Sequence, residues 1–155
     1  VLQTVIRLGW KPDLIHCHGW ISSLVPLYIK KLYKEDPLFS NSKVIFSVYD
    51  SDFKGELDSE IGEKLLFETT LNEKDIKGLK TPDFVSLNKF AIDYADAIIK
   101  VSNKIDKRIL KHIDSSGKPV MIHPGGEDGV YVDAYADFYE GLYEALEEGE
   151  LELTD

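Results

Sequence analysis

Lys11-Pro12-Asp13-Leu14-Ile15-His16-Cys17-His18-Gly19-Trp20 reads, in order, as a turn, a short apolar strand, a tight loop and the approach to a helix. A brief apolar run bounded by turn residues is the pattern of a strand buried in a parallel sheet. In open α/β sheets, ligands bind at the loops beyond the carboxyl ends of the strands. That rule places His16, His18 and Trp20 at the functional edge. His16 and His18 stand two apart on a strand, so their side chains point to the same side.

Working outward, Val1 to Leu8 carries helical apolar spacing and Gly9 is a natural stop. After Trp20 a helix is expected from a Ser22 or Ser23 cap, with Pro26 in its first turn. Val25, Tyr28, Ile29 and Leu32 would form its inner face, and Lys30, Lys31 and Lys34 would complement its dipole. Lys43 to Val48 is a continuous, β-branched second strand. The long polar connection from Ser51 to Pro82 is expected to hold helical pieces near Ile61–Phe67 and Glu73–Ile76. Connections of that length are usually functional or mobile.

Thr81-Pro82-Asp83 is expected to open a helix with proline at its first position, burying Leu87, Phe90, Ala91 and Tyr94. Ala97 to Val101 reads as the third strand, and Ser102 as the cap of a helix burying Ile105, Ile109, Leu110 and Ile113. Val120-Met121-Ile122 is a weaker fourth strand. His123-Pro124-Gly125-Gly126-Glu127-Asp128 reads as a turn rather than a phosphate loop, because Glu127 and Asp128 would repel an anion. The last helix spaces Val132, Tyr135, Ala136, Tyr139, Leu142, Tyr143 and Leu146 along one face. That face should pack on the sheet or on a second copy of the chain, which raises a homo-oligomer. The acidic tail, residues 144–155, is expected to fray.

Strands alternating with helices predict an α/β fold: a three-layer Rossmann-like domain with a parallel sheet, helices on both faces and right-handed crossovers. Residues 1–155 are expected to form a single such domain, incomplete at its N-terminus, because Val1 already reads as part of a helix. The formal net charge of −10 argues against a nucleic-acid partner. No apolar run is long enough for a membrane span, so no membrane is expected. One cysteine permits no internal disulfide and suits a reducing cytoplasm. Cys17 reads as a small core residue. His16 and His18 lack a third ligand in a metal-spacing motif, so no metal is expected.

Three blocks in this order resemble one family. They are Pro12-Asp13-Leu14-Ile15-His16-Cys17-His18-Gly19-Trp20 with Leu24-Val25-Pro26-Leu27-Tyr28; Phe46-Ser47-Val48-Tyr49-Asp50 through Gly55; and Leu87-Asn88-Lys89 through Tyr94-Ala95-Asp96-Ala97 with Val101-Ser102. Together they are similar to the N-terminal domain of bacterial glycogen and plant starch synthases, over about residues 1 to 113. The resemblance implies half of a two-domain retaining glucosyltransferase. Such an enzyme moves glucose from a nucleotide-glucose donor to an α-1,4-glucan and needs no other cofactor.

It also implies that Trp20 lines the sugar cleft and that the second strand's end reaches the transferred glucose. There the family has His-Asn and this chain has Tyr49-Asp50. Gly19 stands where the family has aspartate, and Ile21 replaces the histidine after the tryptophan. The candidate substrate-binding residues are therefore His18, Trp20, Tyr49 and Asp50, with His16 and Gly19 at the site's edge and no certain catalytic residue. The expected partners are a glucan or maltooligosaccharide and a nucleotide sugar. The chain alone is expected to be inactive. The alternatives are a non-catalytic glucan-binding or regulatory module, and a protein-interaction domain docking through the helix from Tyr131 to Leu146.

Overall fold

The computed structural model describes residues 1–67, 69–125 and 130–151, with the side chains of 130 and 145–151 left aside. Four strands form one sheet: β1 (Leu14–His18), β2 (Lys43–Val48), β3 (Ala97–Lys100) and β4 (Val120–Ile122). They lie in chain order and every pairing is parallel. The register sets His16 beside Ile45, His18 beside Ser47, and Ser47 beside Ile99.

The pleat sends alternate side chains to opposite faces. Ile15, Cys17, Val44, Phe46, Val48 and Ile98 point into a cluster shared with the helices. Those are α1 (Leu2–Arg7), α2 (Val25–Leu27, running on as a wider π turn over Tyr28–Leu32), α4 (Phe84–Tyr94) and α5 (Lys107–Ser116). The crossovers between sequential parallel strands thus share one face, as a single handedness requires. Ile45, Ala97, Ile99, Val101 and Met121 point the other way, onto Tyr135, Phe138, Tyr139 and Leu142 of α6 (Val130–Leu151). Helices on both faces make the expected three-layer α/β arrangement.

The 51–82 connection is tied down by its own apolar residues. Leu65 of α3 (Ile61–Leu66), Leu71 and Leu79 pack with Leu27, Leu87 and Phe90 in a second cluster. Residues 73–76 form a turn, and the helical piece comes just after, as a single 3-10 turn at Lys77–Leu79.

Several helix starts differ from expectation, each for a local reason. The Ser22 hydroxyl donates to the Gly19 carbonyl within the turn, so α2 begins after Leu24 without a side-chain cap. Pro82 sits one residue outside α4, and the Asp83 carboxylate accepts from the Ser86 N–H as the cap. Asp106, not Ser102, caps α5 through the Arg108 N–H. A carboxylate is the stronger acceptor and carries the charge that a helix N-terminus favours. Asp83→Ala is expected to cost about 1 kcal/mol, read as a lower urea midpoint with an unchanged slope.

Lys30 and Lys31 do more than face a dipole. Lys30 pairs with Asp96 at 2.6 Å and Lys31 with Asp75 at 2.9 Å. Asp96 also accepts from the Val44 N–H, so it ties α2 to the start of β2.

The last helix is turned relative to its sequence reading. Phe138 replaces Val132 and Ala136 in the buried stripe, and Val132 and Tyr143 stay exposed. Its tyrosine-rich side packs on the chain's own sheet. The helix also continues to Leu151 through residues expected to fray. Gly126, Glu127 and Asp128 of the expected turn, and the end of the tail, lie outside the described residues. No helix among the described residues is long and apolar enough to cross a membrane.

Candidate functional site

The carboxyl edge of the sheet gathers the ends of β1 and β2. His16 faces α6, where its Nδ1 lies 2.7 Å from the Tyr139 hydroxyl and its Nε2 lies 2.7 Å from the Ser47 hydroxyl. Both nitrogens are therefore engaged. Burial pushes the imidazole down to about 4, helped by the repulsion of His18 beside it. The two rings lie 3.9 Å apart between centroids, tilted by 31°. His18 is exposed, and its Nδ1 stands 3.0 Å from the Tyr49 hydroxyl.

Gly19 turns the chain out of the strand with φ 66°, the left-handed region that glycine enters at no cost. A Cβ there would meet the Tyr49 ring at 3.6 Å, an ordinary contact. Backbone conformation, not space, is what favours glycine at this position.

Trp20 and Asp50 belong to the opposite side of the sheet. The Trp20 ring lies 4.6 Å from Phe53 and packs against both clusters of that face. Asp50 accepts from the Ser102 hydroxyl at 2.9 Å. It opens onto a cleft of about 340 Å³ that Asp52, Phe53, Asp83, Lys104 and Arg108 also line. Asp106 on the cleft wall holds Arg108 at 2.8 Å, and that pairing lowers the Asp106 carboxyl. With Asp50, Asp52, Asp83 and Asp106 against Lys104 and Arg108, the cleft disfavours an anion.

The six residues singled out from sequence thus divide between two faces. His16, His18 and Tyr49 come together under α6, with Gly19 turning the chain beside them, whereas Asp50 faces the cleft between α4 and α5 and Trp20 packs behind it on Phe53. The site residues that sequence reasoning missed are Ser47, Phe53, His123, Tyr135 and Tyr139. A serine inside an otherwise apolar strand was the available signal for Ser47, which is fully buried. His123 follows β4 at the same sheet edge, and its Nδ1 lies 3.2 Å from the Tyr135 hydroxyl. Only the folded chain brings α6 back to these groups.

Among the described residues no group of three His, Cys, Asp or Glu could hold a metal ion. Cys17 is buried, its thiol pushed up to about 12 by that burial, which keeps it protonated and inert.

The starch synthase catalytic domain family matches residues 1–121. A glycogen synthase of Chlorobium luteolum is 30% identical over 132 residues, covering 84% of this chain and 26% of that protein. One from Desulforudis audaxviator is 32% identical over 111 residues, 70% of this chain and 21% of its own. Over a shorter stretch of 68 residues, a Chlorobium limicola glycogen synthase reaches 44% identity, covering 44% of this chain and 14% of its own. The chain therefore spans about a quarter or less of the length of these relatives. No solved structure matches it. The match covers all of β1 to β3, the crossovers between them and the open His18–Tyr49 edge, and α6 lies outside it. This chain belongs to the starch synthase catalytic domain family.

Proposed function

We propose that this chain supplies the acceptor side of a glucosyltransferase cleft, contacting an α-1,4-glucan while a nucleotide-glucose is the donor. The observation that carries this reading is the His18–Tyr49 pair, open at the ends of adjacent parallel strands in the blocks that match the family. An imidazole and a phenol 3.0 Å apart can donate to and accept from neighbouring sugar hydroxyls. At the same strand ends but toward the opposite side of the sheet, Asp50 is a further acceptor and Trp20 an indole face for a pyranose ring. Gly19 shapes the turn between them, and His16 fixes the His18 ring from below. The lone buried thiol suits a cytoplasmic setting.

Transfer of the glucosyl group itself asks for cations against a leaving diphosphate. The carboxylate-rich cleft beside Asp50 does not supply them. The 155-residue chain is therefore expected to bind glucan without turnover. Incubation with labelled ADP-glucose or UDP-glucose and maltooligosaccharide should give product no higher than a protein-free control. Clear turnover would overturn this division of labour.

Binding is checked by titrating maltooligosaccharide into the wild type, His18→Ala and Trp20→Phe while following tryptophan emission. Loss of one sugar hydrogen bond costs about 1 kcal/mol, so His18→Ala should weaken binding about fivefold. A wild type that gives no response in emission or by calorimetry would remove the glucan-binding reading.

A further inference from the structure

Alternate residues of a strand share a face of the sheet. On the α6 side the four strand ends therefore present His18, Tyr49, Val101 and His123 in one row, in the order β1 to β4. Neighbouring strands stand about 4.8 Å apart, so the row is about 14 Å long. Its β1–β2 half is the His18–Tyr49 pair. Its β4 half is built with α6, which lies outside the residues that match the family.

His123 is half-buried, and its Nδ1 is taken by the Tyr135 hydroxyl at 3.2 Å. Its Nε2 has no partner among the described residues and is open to a hydroxyl. The Tyr131 ring lies 5.7 Å from the His123 ring, tilted by 45°, and 5.8 Å from Tyr135, edge to face. Such neighbours hold the ring in place, yet Tyr131 stays 42% exposed. Tyr135 links the two halves of the row. Its ring is 6.2 Å from that of His16, which sits 3.9 Å from His18. Burial, with Tyr49 and Tyr131 nearby, holds the Tyr135 phenol above its ordinary value, so it remains a neutral donor.

The row and its tyrosines carry no cation. Lys100 shares the face of Ile98, which points away from α6. A phosphate would find no charged donor here, in a chain whose formal net charge is −10. Neutral donors and acceptors beside an exposed ring suit a sugar instead, which offers hydroxyls at its rim and C–H groups on its face.

We infer that Tyr131 and His123 form a second pyranose subsite, continuous with the His18–Tyr49 pair, so that one α-glucan lies across the strand ends from β1 to β4. The inference rests on the glucan-binding reading of His18 and Tyr49. Tyr131 supplies the stacking face, and His123 Nε2 supplies a hydrogen bond to a sugar hydroxyl. A sugar too short to span the row engages one end only, so affinity rises with glucan length.

The test is calorimetry on the full chain with maltose and maltohexaose, using the wild type, Tyr131→Ala, Tyr131→Phe, His123→Ala and His18→Ala. The wild type should bind maltohexaose about fivefold or more tightly than maltose. Tyr131→Ala and His123→Ala should each weaken maltohexaose binding about fivefold, whereas Tyr131→Phe keeps the ring and the affinity. Maltohexaose should also shift the His123 ring resonances of the wild type, a readout that a misfolded variant cannot mimic. If both alanine variants bind maltohexaose like the wild type, or those resonances stay fixed while the sugar binds, the subsite is overturned and the His18–Tyr49 reading stands. Weaker binding in Tyr131→Ala with none lost in His18→Ala would sustain the subsite and overturn that reading. A wild type that binds neither sugar would overturn both.

Discussion

Replacing Lys118 with methionine is expected to lower the melting temperature by about 6–12 °C, the equivalent of about 3 kcal/mol in a chain of this size. The Lys118 ammonium donates to the carbonyls of Ile92, Asp93 and Ala95 at 2.6, 2.7 and 2.5 Å. These carbonyls end α4, where the helix leaves its last acceptors unpaired. A cation there also meets the negative end of the helix dipole.

Burial pushes the ammonium down, and Asp93 and Asp96 pull against it. Burial is the largest effect and the net shift is downward, with nearby Lys30 adding to it. Methionine keeps the stem's volume and removes every donor, so half-buried carbonyls lose partners at about 1 kcal/mol each. Lys118→Arg should recover little, because a planar fork cannot converge on three carbonyls as an ammonium does. Thermal unfolding of both variants checks this. A melting point for Lys118→Met within 2 °C of wild type, about the effect of 1 kcal/mol or less, would show that water replaces the ammonium at no cost.

The second large effect comes with acid. Stability is expected to fall by about 2 kcal/mol between pH 7 and pH 4 through His16 alone. Its imidazole titrates near 6.5 when unfolded and near 4 in the fold. Between those values the unfolded chain binds the extra proton, so stability rises with pH across that window. The full contribution is present above about pH 6.5 and is lost as pH drops toward 4. The whole shift corresponds to about 3 kcal/mol, and partial solvent access at the ring trims it.

The paired carboxylates Asp58, Asp75 and Asp106 are held below their ordinary values, so their losses come at lower pH. The two windows separate. His16→Gln should flatten the urea-unfolding free energy between pH 6.5 and 4 while leaving the steeper acid loss. A slope unchanged in His16→Gln would assign the pH dependence elsewhere.

Asp83 and Ser102 illustrate how far local reading reaches. Thr81-Pro82-Asp83 announces a helix start, and α4 does start there. Which of the three residues caps it depends on where the chain arrives after the long connection, and Glu56 bridges back to Asp83 at that point. Ser102 reads equally well as a cap, yet its hydroxyl is drawn to Asp50, which lies 52 residues earlier. Local sequence offers several good acceptors, and tertiary neighbours choose among them.

Short continuous apolar runs and period-3.6 apolar spacing determined the parallel sheet, the order of elements and the two buried faces, because burying apolar surface is a near-local demand of each element. The motif blocks determined the family. What only the tertiary structure decided is which groups meet. His16 waits on Tyr139, 123 residues away, and on Ser47. Trp20 turns to Phe53, and the tail helix rotates to bury Phe138. Such contacts depend on packing between distant segments, where a rotation of one residue about a helix axis changes every partner. No spacing within a single element encodes that choice.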